Sequence, residues 1–339
     1  MNPRNHQLLA AAIMAAQAIT PGCVAGGSAP LKPAAQVLIA WLRTRDGSDV
    51  EGTVVAEALG FSVDGTTRAI PLRELLSFHS ADPASAFEQK CITADLAVLA
   101  GSDLKACEAA AAELADIGLP VLTPLLRSYQ DVDAREPDPR YRLFGRILPG
   151  YADACDRALD LVRLASGEVL RGKLTTTDIK MTVASGEQTT IPAAAIRRLA
   201  IRRASTSRSF DLQALHHCTY VGFLDTGIGV TKSSMLRADS AGYVRLSFDE
   251  DGWASVPDGI EEVLPGKRRL QEGFRWGAVL GRVGPAGERW FAGNHVEKND
   301  MASGRLYFVV NDNEHWQNNI GSYRVHLTVT NAYDLGDPQ

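Results

Sequence analysis

The sequence predicts a multidomain α+β protein in which a duplicated small β unit, interrupted by a helical insertion, precedes an antiparallel β-sandwich. A block with strand-like alternation and glycine turns occurs twice, in residues 37–78 and 158–201, and a helical periodicity separates the copies. After residue 212, apolar strands recur between turn residues at roughly 8–12-residue spacing, which is typical of a β-sandwich. We therefore expect a leader (1–30), a first β unit (31–80), a helical insertion (81–157), a second β unit (158–205) and a sandwich (212–333).

The composition is that of a globular protein with a mildly acidic balance. The 339 residues include 35 basic and 40 acidic side chains, which gives a net charge of −5. This balance argues against a general nucleic-acid binder, which needs a basic face to displace counterions from phosphates. No apolar run reaches the ~18–20 residues that span a bilayer, so the sequence predicts no transmembrane helix.

The N-terminus has the pattern of an export signal. Arg4 precedes an apolar stretch, Leu8 to Ile19, and small residues and helix breakers follow. Gly22-Cys23 resembles a bacterial lipobox, although Thr20 and Pro21 depart from it. We expect a protein that is periplasmic, anchored to the outer membrane through a lipid on Cys23, or extracellular. An alanine-rich terminal helix is the alternative.

The two β units share their glycine and proline positions. Gly47 and Gly52 match Gly167 and Gly172 at an offset of 120, and the Ile-Pro pairs at 70–71 and 191–192 match at 121. Each copy predicts four short strands joined by tight turns. Because a unit of about 42 residues is too small for a large core, we expect the two copies to pair into one small barrel or sandwich. Neither copy contains a catalytic constellation.

The segment between the copies predicts helices. Ser102 or Asp103 caps a helix over residues 104–117, and Gly118 follows at the position that favours glycine. Residues 93–148 resemble one HEAT-type repeat and part of another, with Gly-x-Pro at the bend. Packing against the β units and binding a protein partner of the cell envelope both remain open for this segment. Arginines from 197 to 208 are interpreted as the rim of a linker before the sandwich.

The last hairpin of the sandwich contains an oxygen-rich loop. Asp312, Asn318 and Asn319 can direct side-chain oxygens inward, and backbone carbonyls can complete the shell. Calcium takes 6–8 oxygen ligands at ~2.3–2.6 Å and accepts such a mixed set. A hydrogen-bonded turn is the alternative, because Asn and Asp favour turns.

The sandwich resembles the calcium-dependent, galactose-binding PA-I-like lectin family. Four segments carry the resemblance: Gly252 to Ser255, Trp276 to Gly284, Gly304 to Asp312, and Asn318-Asn319-x-Gly321-Ser322-Tyr323. It covers about 120 residues of the chain. The resemblance implies a β-sandwich fold, a calcium cofactor and a carbohydrate ligand.

The resemblance also implies site residues. Asp312, Asn318 and Asn319 would bind calcium with the carbonyl of Val256 and one near His315 or Trp316. Asp312 and Asn318 would also touch the sugar, and the aromatic ring of Trp316 could stack on it. The loop is one residue shorter than in the lectins, and their sugar-contacting His and Gln have no clear counterpart.

These observations predict a non-catalytic, exported binding protein with carbohydrate as its partner. No Gly-x-Ser-x-Gly, His-Glu-x-x-His or phosphate-binding loop occurs in the sequence. The alternative is a structural or protein-interaction component of the envelope with a degenerate sandwich.

The cysteine spacings match no zinc or haem motif. The sequence is compatible both with one disulfide among Cys91, Cys107 and Cys155 and with buried thiols.

Overall fold

The computed structural model describes residues 37–101, 103–129, 159–219, 222–246, 253–260, 273–312 and 316–336. Within these residues the protein is mostly antiparallel β-sheet with three short α-helices. Residues Val37–Gln339 form one compact unit. The predicted leader with Cys23, and residues 130–157 of the predicted helical insertion, lie outside the described residues.

Ten strands form the N-terminal β part: β1 (Leu38–Thr44), β2 (Asp49–Val54), β3 (Ala58–Val63), β4 (Thr66–Pro71), β5 (Leu75–His79), β6 (Asp160–Leu164), β7 (Val169–Leu174), β8 (Asp178–Val183), β9 (Gln188–Pro192) and β10 (Ile196–Gln213). Three helices separate β5 from β6: α1 (Ala86–Leu99), α2 (Leu104–Ile117) and α3 (Leu122–Tyr129). The remaining strands are β11 (Leu224–Val230), β12 (Met235–Arg245), β13 (Ala254–Ser255), β14 (Val279–Val283), β15 (Trp290–Phe291), β16 (His295–Lys298), β17 (Gly304–Val310) and β18 (Ile320–Asp334).

The two β units pair reciprocally, as the repeat predicts. β1 pairs with β2 and with β10, and its counterpart β6 pairs with β7 and with β5. Likewise β2 pairs with β8, and β3 pairs with β7. Each copy therefore completes the sheets of the other, and apolar side chains from both copies share one core. This exchange gives two short units the interior that neither could bury alone.

The repeated second glycine permits this close pairing. An alanine Cβ at Gly52 would lie 2.6 Å from the carbonyl oxygen of Thr182, which belongs to the other copy. At Gly172 the added Cβ would overlap the carbonyl oxygen of Ser62, again in the other copy. Only a residue without a side chain leaves room for the partner strand at these two positions.

The helices begin and end where local signals favour it. Ser85 and Glu88 form a capping box at the start of α1, with both reciprocal hydrogen bonds present. Asp103 Oδ1 accepts from the amide of Ala106 at 3.1 Å and so caps α2, which ends at Ile117 as predicted.

The described helices do not show a HEAT-type repeat. No single described helix is long and apolar enough to cross a membrane, whereas the bent pair Ala106–Ile117 and Leu119–Ser128 meets the length and composition criteria together.

The C-terminal part is built from two antiparallel layers. One layer runs β10, β18, β12 and β16, with β13 added beside β12. The other runs β11, β17, β14 and β15. Apolar side chains from both layers, including Phe210, Val279, Phe308 and Val325, pack into one core between them. This arrangement of two packed layers is consistent with the predicted β-sandwich.

Strand β10 belongs to both β parts, which the sequence did not lead us to expect. Its first residues pair with β1 and β5, and Arg202 to Gln213 pair with β18. The interval 206–211, expected to separate the second β unit from the sandwich, is therefore continuous strand. The arginines interpreted as a linker rim make specific contacts instead: Arg197 with Glu88, Arg198 with Asp116, Arg202 with Glu51, Arg203 with the carbonyl of Leu75, and Arg208 with Asp334.

A partly buried charge cluster joins the helices to both β parts. Asp116 on α2 contacts Arg198 on β10, Arg43 on β1 at 3.2 Å and Arg305 on β17 at 2.8 Å. Burial alone would raise the pKa of this carboxyl group, but Arg305, Arg198 and Arg43 outweigh it and lower the pKa to about 2. The helical segment thus packs between the two β parts.

Candidate functional site

The oxygen-rich loop lies between β17 and β18 at one end of the sandwich. Asn311 is buried and fixes the start of the loop, because its Nδ2 donates to the carbonyl of Arg275 at 3.0 Å. Its backbone amide donates to the carbonyl of Ala278 at 2.8 Å. The residue that follows, Asp312, is thereby held against the segment that precedes β14.

Asp312 is buried and held by several donors. Its exposed fraction is 3%, and its backbone amide donates to Thr219 Oγ1 at 3.0 Å. Trp276 Nε1 donates to Asp312 Oδ1 at 2.6 Å, and Asn319 Nδ2 donates to Oδ2 at 2.6 Å. Both carboxylate oxygens therefore accept a hydrogen bond within the protein.

Asn319 provides an oxygen without a hydrogen-bond partner. Its Nδ2 donates to Asp312 and, at 3.1 Å, to the carbonyl of Ala214. Its Oδ1 is buried and has no hydrogen-bond partner among the described residues. A buried acceptor in this state costs about 1–3 kcal/mol of desolvation. The pair Asp312 and Asn319 is the part of the predicted site that the structure brings together.

Trp276 is a site residue that the sequence did not single out. Its ring packs against Trp253, with centroids 6.0 Å apart and an interplanar angle of 48°. Two partly buried indoles therefore lie beside the Asp312 carboxylate. Trp276 begins one of the segments that resemble the lectins, but nothing in the sequence indicates that its N–H reaches an acid 36 positions away.

The carbonyl oxygen of Val256 accepts hydrogen bonds from side chains outside the oxygen-rich loop. It accepts from Ser255 Oγ at 2.9 Å and from the Tyr323 hydroxyl at 3.0 Å. The same hydroxyl lies 2.9 Å from the carbonyl oxygen of Gly277. Burial raises the pKa of Tyr323, so this hydroxyl stays protonated and remains a donor at neutral pH.

Asn318 is the other predicted site residue whose side chain the structure describes. Asn318 ends a short 3-10 helix, Trp316–Asn318, and is half-buried. The side chain of Trp316 and the whole of His315 and Cys23 lie outside the described residues. Hence the predicted stacking by Trp316, the His315 carbonyl ligand and the lipid on Cys23 stay predictions.

The turn between β10 and β11 also lies against the loop. The amide of Ala214 donates to the carbonyl of Gly321 at 3.1 Å, and the amide of Val310 donates to the carbonyl of His217 at 2.8 Å. His217 Nδ1 accepts from the amide of Gln213 at 3.2 Å, and the imidazole of His216 is exposed. The two rings lie 6.4 Å apart in an edge arrangement, because the residues occupy a turn rather than a strand.

The described residues contain no group of three or more His, Cys, Asp or Glu side chains able to hold a metal ion. A calcium site at this loop would depend on neutral amide and carbonyl oxygens around the Asp312 carboxylate. Cys91, Cys107 and Cys218 are present as thiols, and Cys155 is outside the described residues.

Comparison with known proteins finds matches among solved structures only. No protein-family model matches the chain, and no curated protein matches it. A solved structure described as "EclA N-terminal domain; PllA-like lectin" is 18% identical, covers 36% of this chain and 92% of its own, and has a TM-score of 0.27. A TM-score this low says nothing about function.

Proposed function

We propose that this is a non-catalytic carbohydrate-binding protein whose sandwich binds a sugar beside a calcium ion at the Asp312 loop. The observation that carries the proposal is the buried Oδ1 atom of Asn319, which has no hydrogen-bond partner within the described part of the chain and belongs to the same side-chain amide whose Nδ2 donates to Asp312. The loop thus presents acceptor oxygens that an oxygen-coordinating cation would satisfy.

Asp312 and Asn319 are the residues that would hold the ion, and Asn318 would complete their side of the shell. A bound calcium would supply positive charge to the carboxylate and coordination positions for sugar hydroxyls. Asp312 remains tied to Trp276 and Asn319, so these two donors fix the direction of its oxygens before any ligand arrives. Such preorganisation lowers the entropic cost of binding.

The cellular setting belongs to the same proposal. The leader-like segment and the Gly22-Cys23 pair favour export to the periplasm, the outer membrane or the exterior. Calcium is abundant outside the cytosol, and a site with one carboxylate suits the roughly millimolar calcium concentration found there. The partner is then a glycan in the envelope or outside the cell.

Thermal unfolding of the full chain tests the calcium site. We compare the melting temperature in EDTA and in 1 mM calcium for the wild type, for Asp312→Asn and for the exposed control Asp239→Asn. A Kd near 10 μM gives about 2.7 kcal/mol by mass action. For a protein of this size that corresponds to a rise of about 5–10 °C, which Asp312→Asn should abolish and Asp239→Asn should keep. No rise in the wild type would contradict the calcium site.

A glycan array tests the ligand. Labelled full-length protein is applied in calcium and in EDTA, and binding in calcium alone supports the complete proposal. Binding that persists in EDTA would support a sugar ligand without the ion. Absence of binding to any glycan in calcium would overturn carbohydrate binding.

One observation favours the alternative, a structural or protein-interaction component of the envelope. Both carboxylate oxygens of Asp312 already accept hydrogen bonds from protein donors, as in a turn that needs no ion. In that case calcium leaves the melting temperature unchanged and the array stays blank. Co-purification of an envelope protein with the wild type would then support this function.

A further inference from the structure

We infer that the sugar rests on the outer face of the β10–β18–β12 sheet, at the end next to the Asp312 loop, and that it is an uncharged sugar stacked on Tyr243. This inference depends on the proposed function and names the surface that it uses. We call this surface the strand-end patch, and it consists of Gln213, His216, Tyr243, Gln317, Ile320 and Ser322.

The burial of the ion-binding pair makes a separate contact surface necessary. Asp312 and Asn319 have exposed fractions of only 3% and 4%. A sugar approaching from solvent therefore meets the side chains around the loop before it can reach either residue. The strand-end patch is the described surface that adjoins the loop through β18.

Strand pairing places the sheet members of the patch side by side. Ser322 on β18 pairs with Tyr243 on β12 and with Gln213 on β10, so the three side chains form one row. Ile320 lies two residues before Ser322 and therefore projects from the same face. It is the diagonal neighbour of Tyr243, within reach of an aromatic ring.

Backbone contacts join this row to the loop. The amide of Ala214 donates to the carbonyl of Gly321 at 3.1 Å, and Asn319 donates to the carbonyl of Ala214 at 3.1 Å. The turn that carries His216 is therefore fixed against both the loop and the sheet. Gln317, in the 3-10 helix just before Asn318, is exposed on the same loop.

The chemistry of the patch matches a sugar. Tyr243 is 71% exposed and Ile320 is 51% exposed, so an aromatic and an aliphatic side chain face solvent beside each other. An exposed ring of this kind can cover the apolar C–H face of a pyranose while its hydroxyl stays wet. Amide, hydroxyl and imidazole groups around it can both donate to and accept from sugar hydroxyls. No member of the patch is charged. Of the charged residues beside it on this face, Arg324 is paired with Asp211 at 3.0 Å, and Arg245, opposite Ile320, also has an interaction within the protein. This leaves the patch itself to an uncharged ligand.

The test uses the full chain on a printed array of neutral and sialylated glycans in 1 mM calcium. Tyr243→Ala and His216→Ala remove the stacking ring and the imidazole, and Tyr243→Phe keeps the ring. Met235→Ala is the matched control, because Met235 is also on the outer face of β12 and is 61% exposed. Melting temperatures verify that each variant folds.

We expect Tyr243→Ala and His216→Ala to lower the signal on neutral glycans at least tenfold and threefold, respectively. Tyr243→Phe and Met235→Ala should stay within twofold of the wild type. If the wild type binds and both alanine variants bind equally well, the patch is wrong and the proposed function stands. If the wild type binds only sialylated glycans, the uncharged ligand is wrong. If the wild type binds nothing, the proposed function itself fails.

Discussion

The Nη2 atom of Arg305 lies 2.8 Å from the Asp116 carboxylate, and this contact joins helix α2 to strand β17 of the sandwich. Arg305 also pairs with Asp225 at 2.6 Å, so one guanidinium links a helix and two strands. On its other side Asp116 contacts Arg43 and Arg198, which belong to the N-terminal β part. One aspartate therefore ties three parts of the chain together.

Replacing this aspartate should destabilise the protein in a pH-dependent way. At pH 7, Asp116→Asn removes one counter-charge from three partly buried guanidinium groups, but Arg43 keeps Glu113 and Arg305 keeps Asp225, so we expect a loss of about 2–3 kcal/mol. The pKa of Asp116 is lowered to about 2, so its contribution is present above about pH 4 and is lost as the pH falls towards 2. Urea unfolding at pH 7 and at pH 2.5 should show a smaller difference between wild type and variant at the lower pH. The exposed control Glu187→Gln should change neither value.

Replacing Asp95 on α1 should stabilise the protein near neutral pH, whereas replacing Asp116 destabilises it. Partial burial and the nearby Glu113 raise its pKa to about 6, and its Oδ2 has no hydrogen-bond partner among the described residues. A raised pKa means that stability is lost as the pH rises through this value, because the ionised form is disfavoured in the folded state. Asp95→Asn should therefore stabilise the protein at pH 7.5, by no more than about 1 kcal/mol since solvent screens this position. At pH 4 the gain should vanish, and a gain that persists there would contradict the assignment.

The indole N–H of Trp276 should stabilise the loop through Asp312. Trp276→Phe keeps an aromatic ring but removes the donor 2.6 Å from Oδ1, and a hydrogen bond to a charged group contributes about 1.5–3 kcal/mol. We expect a loss of that size in the free energy of unfolding, measured in EDTA. Trp290→Phe is the matched control, because Trp290 packs on Phe308 in the sandwich core. An equal loss in both variants would show that ring size, rather than the hydrogen bond, is responsible.

Gly172, which lies against the backbone of the other β unit, should not tolerate a side chain. Gly172→Ala places a methyl group onto the Ser62 carbonyl oxygen of the partner strand, and that backbone cannot move without breaking the β3–β7 pairing. We expect a loss of about 2 kcal/mol or more, as for other overpacked sites. Gly186→Ala meets no atom within 4 Å but has a φ of +84°, so it should cost only about 1 kcal/mol. Denaturation midpoints that rank the two variants the other way would refute this explanation.

Local signals in the sequence were sufficient to predict the helices and strands but not how they pair and pack. The helix over residues 104–117 and the strands around the glycine turns follow from caps, alternation and turn residues, all of which act over a few positions. The continuity of β10 was missed because a run containing Arg202, Arg203 and Arg208 has the composition of a solvated linker. Each of these arginines has a partner far away in sequence, and such partners leave no local trace.

The candidate site was predicted in part for the same reason. Asp312 and Asn319 lie seven residues apart on one hairpin, so their meeting follows from the loop alone. The contact of Asp312 with Trp276 depends on how β14 packs against β17, which no short motif encodes. The carbonyl oxygen of Val256 accepts from Ser255 Oγ and from the amide of Gly259 and lies 3.0 Å from the Tyr323 hydroxyl, and its predicted part in a calcium shell stays a prediction.

The unbroken run of strand β10 makes the sandwich unsuitable as an excised module. A sandwich cut out at its predicted start, residue 212, would lack nearly all of β10 and leave the long strand β18 with a bare row of amides and carbonyls on one side. An N-terminal part that ended before β10 would in turn lack the strand that pairs with both β1 and β5. The two β parts consequently share one cooperative framework, and native-state hydrogen exchange should find the central amides of β10 among the slowest in the chain.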